Sequence, residues 1–277
     1  MLDTVFRENL FANQVALITG GGTGIGLRAA RELAKLGATV VLASRKMENL
    51  EKGVAQIRAD GGVAHAITCN IRDEDSVRSC VAQALELAGS LHMLVNNAGG
   101  QFPSPAESIT AKGWHAVIET NLTGTFLMTR EVFTQTMRDH GGRVVNVIAN
   151  YWNGFPNMAH TGAARAGVDN LTQSLAVEWG RYGVRLNAIA PGIIRSSGLE
   201  QYPPPFKDFV YSAGRFNQAN RLGSEAEIAS SILFLLSPGA SFITGETLRV
   251  DGGDLLFTPL HPPVAHDKLP AFDDLPD

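Results

Sequence analysis

Along the first two thirds of the chain, short unbroken apolar runs alternate with longer stretches whose apolar residues recur every three or four positions. The runs are VALIT (15–19), TVVLAS (39–44), VAHAIT (63–68), LHMLVNN (91–97), RVVNVIA (143–149) and VRLNAIA (184–190), and TLRVDG (247–252) supplies a seventh. Runs without polar alternation predict strands buried on both faces, and intervening helices of this length make such strands parallel. The helices are expected to begin near Ile25, Met47, Asp73, Ser108, Met158 and Ser224, several of them behind a Ser, Thr or Asp that can cap free amides. The pattern therefore predicts an α/β fold: a doubly wound parallel sheet of about seven strands with helices on both faces. The repetition never breaks for long enough to admit a second domain, so residues 1–277 are read as one.

Two segments depart from the pattern. RSSGLEQYPPPFKDFVYSAGRFNQANRL (195–222) mixes a triple proline with polar and aromatic residues, as a lid over a binding site does. The stretch 254–277 holds five prolines and is expected to lie as an extended arm on a surface, its own or a neighbouring subunit's.

With 44% hydrophobic and 18% charged residues the chain can bury a sizeable core. Twenty-three Lys and Arg against 27 Asp and Glu leave no basic excess, which argues against a nucleic-acid partner or an anionic membrane surface. No apolar stretch has the length of a signal peptide or a membrane span, so no membrane association is expected. Cys69 and Cys80 show neither framework nor metal-ligand spacing, and the seven histidines form no paired set; no metal site is expected, and a reducing cytoplasmic location is. The final LPAFDDLPD is not a peroxisomal address of the small-basic-Leu kind.

The strongest local signal is VALITGGGTGIG, where Gly20, Gly24 and Gly26, with Thr23 and Ile25 among them, follow a predicted strand and open a helix. Glycine permits a tight turn and a close backbone approach to a pyrophosphate, whose charge is met by the free amides of the helix start. The unit is thus of the Rossmann dinucleotide-binding type. At the end of the second strand, where an acidic residue would hold the ribose 2′-hydroxyl of NAD, the chain carries Ala43, Ser44, Arg45 and Lys46. A hydroxyl beside a guanidinium suits a 2′-phosphate, and NADP(H) is the expected cofactor. The alternative is that Arg45 and Lys46 are only the solvated start of a helix.

TGGGTGIG (19–26), NNAGG (96–100), Asn121 in ETNLTGTF and APGII (190–194) together resemble the ordered motifs of the short-chain dehydrogenase/reductase superfamily over about residues 13–253. That resemblance implies that Asn70 and Ile71 flank adenine, that Asn97, Ala98 and Gly99 line the cofactor, and that Pro191, Gly192 and Ile193 pass the nicotinamide amide. It also implies that Asn121 anchors a water-linked proton path and that the protein is a homotetramer or homodimer. The helices beginning near Ser108 and Met158 would then pair, with Phe126, Leu171 and Leu175 as surplus apolar surface.

One departure changes the chemistry. The superfamily's Tyr-x-x-x-Lys motif falls in HTGAARAGVDNLTQSLAVEW, which has Thr161 at the Tyr position and Arg165 at the Lys position, and the usual Ser falls near Ala149. Ordinary ketone or alcohol chemistry is thereby put in question. GGQFPSPAESITAKGWHAVIETNLTGTF, NGFP, HTGAARAGV and SFITGETLRVDGG are similar to the enoyl-CoA and 2,4-dienoyl-CoA reductase branch. Within that branch the acid comes from other places: Tyr151 corresponds to a Tyr just past the fifth strand, and Asp169 to an Asp four residues beyond the Lys position.

Arg165 and Asp169 stand i to i+4, a spacing that permits an ion pair, either functional or merely structural. Arg165 cannot donate a proton at neutral pH and is expected to hold ribose hydroxyls and stabilise negative charge. The catalytic candidates are thus Tyr151, Arg165, Asp169 and Asn121, and the expected reaction is NADPH-dependent reduction of an α,β-unsaturated acyl-CoA thioester. Arg195, Arg215 and Arg221 flank the lid and could meet the CoA diphosphate or be plain surface charge. Trp114, His115, Trp179 and Tyr182 read as packing residues, and His160 as either a pocket residue or a helix cap. The rival readings are an oxidoreductase of a carbonyl or alcohol not linked to CoA, and a catalytically silent dinucleotide-binding module.

Overall fold

The computed structural model describes residues 6–196, 199, 204–256, 258 and 260–272. Seven parallel strands form the sheet: β1 (Val15–Thr19), β2 (Thr39–Ser44), β3 (Val63–Thr68), β4 (Met93–Asn96), β5 (Gly142–Val147), β6 (Val184–Pro191) and β9 (Thr247–Val250). Their order is β3-β2-β1-β4-β5-β6-β9, so the winding reverses between β1 and β4. A two-stranded ribbon, β7 (Ile194–Arg195) with β8 (Gly223–Ser224), stands apart. The doubly wound architecture read from the sequence is the one observed.

Successive residues of a strand face opposite sides, and the sheet is covered on both. Ala16 and Ile18 of β1 join a core with helices α1 (Gly24–Lys35), α2 (Met47–Ala59) and α9 (Glu225–Leu236), including Leu33, Leu50, Ile232 and Leu236. Val15 and Leu17 join another with α3 (Glu74–Ala88), α5 (Gly124–Val132) and α7 (Ala159–Trp179), through Val81, Met128, Val132 and Leu175. Each fully buried aliphatic side chain stabilises the fold by roughly 1.5–3 kcal/mol.

Side-chain caps fix several helix starts. Asp73 accepts from the Ser76 amide, Thr110 from the Gly113 amide, and Ser224 and Glu227 form a reciprocal capping box. The helix expected near Ser108 starts behind Thr110; Ser108 ends a short 3₁₀ turn. From there α4 (Ala111–Ile118), α5 and α6 (Arg138–His140) follow one another through wider π-turns at Glu119–Thr123 and Phe133–Met137.

Two expectations change. Leu175 is buried, and Phe126 and Leu171 pack against the same core, so these residues serve the fold of one chain rather than offering surplus apolar surface. Arg221 is committed to Glu227, at 2.9 and 2.6 Å, and to the carbonyls of Leu269 and Pro270. The described part of the C-terminal arm lies on its own chain: His266 contacts the Gln218 carbonyl, and Ser224 donates to that of Phe272. Segment 195–222, expected as a lid, contains α8 (Pro204–Ser212) and a 3₁₀ turn, Ala213–Phe216, while 197, 198 and 200–203 lie outside the described residues. Among the described residues no helix is long and apolar enough to cross a membrane.

Candidate active site

A cleft of about 1140 Å³ opens at the C-terminal ends of the strands, where the winding reverses. Doubly wound sheets bind ligands at that point because adjacent loops diverge there to opposite faces. Gly20, Thr23, Gly24 and Ile25 form one edge. A Cβ on Gly26 would stand 2.5 Å from Asn97 Nδ2 and 2.6 Å from the Gly20 carbonyl oxygen, so this helix position requires glycine through contact. Thr19, which sequence reasoning passed over, ties the turn down: its hydroxyl accepts from the amides of Asn97 and Ala98, both at 3.0 Å. Asn97 Nδ2 in turn donates to the carbonyls of Thr19 and Gly20. Thr23 at the start of α1 makes no side-chain cap, which leaves the amides of the first turn for a ligand.

Ser44, Arg45, Asn70 and Ile71 line the far end of this wall, and Cys69 joins them. Arg45 is exposed and makes no hydrogen bond or ion pair among the described residues. Lys46 sits at the N-cap of α2, outside the lining.

At the other end Ala98, Gly99, Pro191, Gly192, Ile193 and Arg165 converge. Arg165 donates from Nη1 to the Val147 carbonyl at 2.9 Å, while its Nε is buried without a partner among the described residues. Burial pushes its pKa down to about 10, which leaves it cationic at neutral pH. A Cβ on Gly99 would meet Arg165 Nη2 at 2.6 Å and Asn121 Oδ1 at 2.8 Å, so the glycine makes room for both. Asn121 lies in the first π-turn, fully buried. It donates to the carbonyls of Gly100 (2.7 Å) and Val117 (2.8 Å) and accepts from the Gly100 amide, fixing the loop after β4 from behind. These features fit a nicotinamide dinucleotide: a helix start with free amides, glycines whose Cβ would collide, and an orphaned guanidinium nitrogen.

Arg165 and Asp169 form no ion pair, despite their spacing. Asp169 instead accepts from Tyr151 Oη at 2.6 Å and from the Thr247 hydroxyl of β9. Burial and the facing Asp169 carboxylate push the Tyr151 phenol up to about 12. Neither Tyr151 nor Asp169 is in the cleft lining; Tyr151 stacks on Trp152, and together they clasp the loop after β5 to α7 and β9. Thr161, at the superfamily's Tyr position, is wholly buried and also outside the lining, whereas Ala149 is in it.

The same loop brings in residues the sequence did not single out. Asn150 Nδ2 donates to Asp251 (3.3 Å) and Asp254 (3.1 Å), and burial together with Asp251 raises the Asp254 pKa. Phe102, Phe155, Asn157 and Met158 complete the wall, and no sequence period marks them. A second hollow, about 640 Å³, lies at the opposite ends of the strands. Its Arg143 and Arg185 are spent on carbonyls at the end of α9.

Residues 20–254 match the family model described as Enoyl-(Acyl carrier protein) reductase. The zebrafish (Danio rerio) peroxisomal 2,4-dienoyl-CoA reductase is 36% identical, over 90% of this chain and 84% of its own length. A Bacillus subtilis (strain 168) protein named "Probable 2,4-dienoyl-CoA reductase" is 38% identical, over 88% of this chain and 97% of its own. Among solved structures, a citronellol catabolism dehydrogenase of Pseudomonas aeruginosa PAO1 superposes with a TM-score of 0.83 at 48% identity, covering 91% of this chain and 99% of that one. With its glycine turn, its reversed winding and this match over most of its length, the chain belongs to the short-chain dehydrogenase/reductase superfamily of nicotinamide-dependent oxidoreductases, in the family described as enoyl-(acyl carrier protein) reductase.

Proposed function

We propose that this protein is an NADPH-dependent reductase of α,β-unsaturated acyl-CoA thioesters. The observation that carries the reading is the reaction end of the cleft, where the cation Arg165 lines the wall while the Tyr position is a buried Thr161. A ketone reductase needs an acid at the oxygen. A conjugate reduction needs a stabilised enolate and a proton at carbon, which water in an open cleft can supply. The resemblance to dienoyl-CoA reductases supports the same choice.

The amides opening α1 would hold the pyrophosphate, Ser44 and Arg45 the 2′-phosphate, Arg165 Nε a ribose hydroxyl, and the Pro191–Ile193 backbone the nicotinamide amide. So bound, the cofactor supplies hydride to the unsaturated carbon. Arg165 stabilises the negative charge that develops nearby, and Asn121 keeps the Gly99–Gly100 loop in place. Tyr151 and Asp169 act by positioning, since their hydrogen bond fixes the loop that carries Ala149 and Asn150 into the cleft. Arg215, whose guanidinium lies over the Phe216 ring, would meet the CoA diphosphate, whereas Arg221 is tied to Glu227.

Steady-state NADPH oxidation against enoyl-CoA, dienoyl-CoA and ketone substrates tests the reading; turnover of thioesters but not ketones is expected, and the reverse overturns it. The 48% identity to a citronellol catabolism dehydrogenase favours one alternative, an oxidoreductase of an acyclic alcohol, and adding such alcohols with NADP⁺ decides between them. NADPH binding without any turnover would make the protein a silent dinucleotide module. We propose also that the protein is a homodimer or homotetramer in the cytoplasm. Val177 on α7 is 85% exposed and Phe242 fully so, both apolar contacts that a partner copy would cover. A monomer by light scattering at micromolar concentration would contradict the assembly, and a membrane or organelle fraction the location.

A further inference from the structure

His160 stands in the first turn of α7, wholly buried, one residue before the position where the superfamily has its Tyr. Its Nδ1 accepts the backbone N–H of Thr161 at 2.9 Å, an amide shared with the Met158 carbonyl, and stands 3.4 Å from the Thr161 hydroxyl, which can donate to the same nitrogen. An amide nitrogen can only donate, so a neutral ring bonded this way carries its proton on Nε2. That Nε2–H has no acceptor among the described residues. A buried donor without a partner is costly, and a native fold keeps one where something else uses it.

What faces the imidazole is the Phe102 ring, edge to face, with centroids 4.6 Å apart and planes at 78°. Phe102 is 39% exposed and lines the cleft, and its Cζ lies over Gly113 of α4, where a Cβ would come within 2.9 Å of it. A phenyl ring can cover an N–H weakly but cannot replace an oxygen acceptor. Asn157 and Met158, just ahead of His160, belong to the same cleft wall. The imidazole therefore lies one aromatic ring away from the space where a substrate would bind.

Building on the function proposed above, we infer that His160 Nε2–H is the hydrogen-bond donor to the thioester oxygen of the acyl substrate, which displaces the Phe102 ring to reach it. In the reduction, hydride from the reduced nicotinamide forms the new C–H bond at the unsaturated carbon and the π pair moves onto the thioester oxygen. Water then gives a proton to the α-carbon as the C=O bond is restored, and the hydroxide left takes up a proton from bulk solvent. The imidazole transfers no proton; it strengthens its hydrogen bond as charge grows on the oxygen, while Arg165 supplies the positive field.

The test is difference Raman spectroscopy of trans-2-butenoyl-CoA bound to the protein with NADP⁺, a complex that cannot turn over, for the unmodified protein, His160→Gln and His160→Leu. The carbonyl stretch is expected at lower wavenumber than in free thioester for the unmodified protein. His160→Gln, whose amide can still donate, should keep part of the shift, and His160→Leu should abolish it. In parallel, kcat should fall about 10²-fold in His160→Leu, with the Kd for NADPH unchanged. A core residue of no chemical role would move neither the carbonyl frequency nor kcat. An unaltered shift, or a kcat within threefold, in a His160→Leu protein that melts normally and binds NADPH overturns the inference. If His160→Leu does not fold, the unmodified complex decides, because a carbonyl frequency equal to that of free thioester rejects the hydrogen bond. Failure of the unmodified protein to bind or reduce any enoyl or dienoyl thioester, with NADPH binding intact, rejects the proposed function itself and this inference with it.

Discussion

The two walls of the cleft are built by different means. On the β1–β3 side the recognition surface is backbone: the turn Gly20–Gly26 and the uncapped start of α1, with Thr19 and Asn97 locking it from behind. On the other side it is side chains: Arg165 comes from α7, and Asn150 and Phe102 from the loops after β5 and β4, which are held by contacts to α7, β9 and α4. A backbone wall has little freedom to change its ligand class, whereas a side-chain wall can change chemistry by moving one group. Here it has: the superfamily's Tyr and Lys positions carry Thr161 and Arg165, and the available hydroxyl, Tyr151, has been turned to a structural partner.

The contrast breaks most sharply at the backbone wall. Gly26→Ala puts a methyl against Asn97 and the Gly20 carbonyl, and is expected to weaken NADPH binding more than 10²-fold and to cost about 1–3 kcal/mol of stability. Fluorescence titration and thermal melting measure the two. On the other wall Arg165→Met should lower kcat about 10²-fold and weaken NADPH binding by less, since one ribose contact goes while the amides remain. Equal losses in kcat and binding would mean that Arg165 only holds the cofactor.

Arg45→Ala sharpens the comparison at the far end of the backbone wall. It should remove the preference for NADPH over NADH by roughly 1.5–3 kcal/mol, the worth of a charged hydrogen bond, and comparison of the two dissociation constants checks it. The smallest effect on turnover is expected from Tyr151→Phe, a change of less than about tenfold, because the hydroxyl faces Asp169 and not the cleft. Its signature is in stability. The phenol titrates near 12 in the fold against an ordinary 10.0, so the clasp contributes fully below pH 10 and is lost as pH rises through 12. Tyr151→Phe should therefore flatten the stability profile in that alkaline window, as denaturant melts at several pH values would reveal.

The backbone wall was legible in the sequence because its features follow from local conformation. Glycines after an apolar strand and before a helix admit few other structures, and the seven apolar runs fixed the sheet in the same way. The side-chain wall was legible only as a set of names. The i to i+4 spacing of Arg165 and Asp169 suggested a pair, but Val147 draws one and Tyr151 with Thr247 the other, and nothing local to α7 announces partners from β5 and β9. Asn121 was identified by its motif, yet the π-turn that aims it at Gly100 is a tertiary adjustment that no sequence period shows. His160 and Phe102 lie 58 residues apart and meet only in the folded chain.

The central claim, that this cleft delivers hydride to a conjugated carbon of an acyl-CoA, is tested most directly by isotope transfer. The protein is incubated with NADPH deuterated at the transferable position and with trans-2-enoyl-CoA or 2,4-dienoyl-CoA, and the product is analysed by mass spectrometry. The account predicts one deuterium at C3 of the saturated thioester from the first substrate or at C5 of the enoyl product from the second, with the C2 hydrogen drawn from solvent. Deuterium on a carbonyl carbon of a ketone or aldehyde substrate, with none entering either thioester, would contradict it.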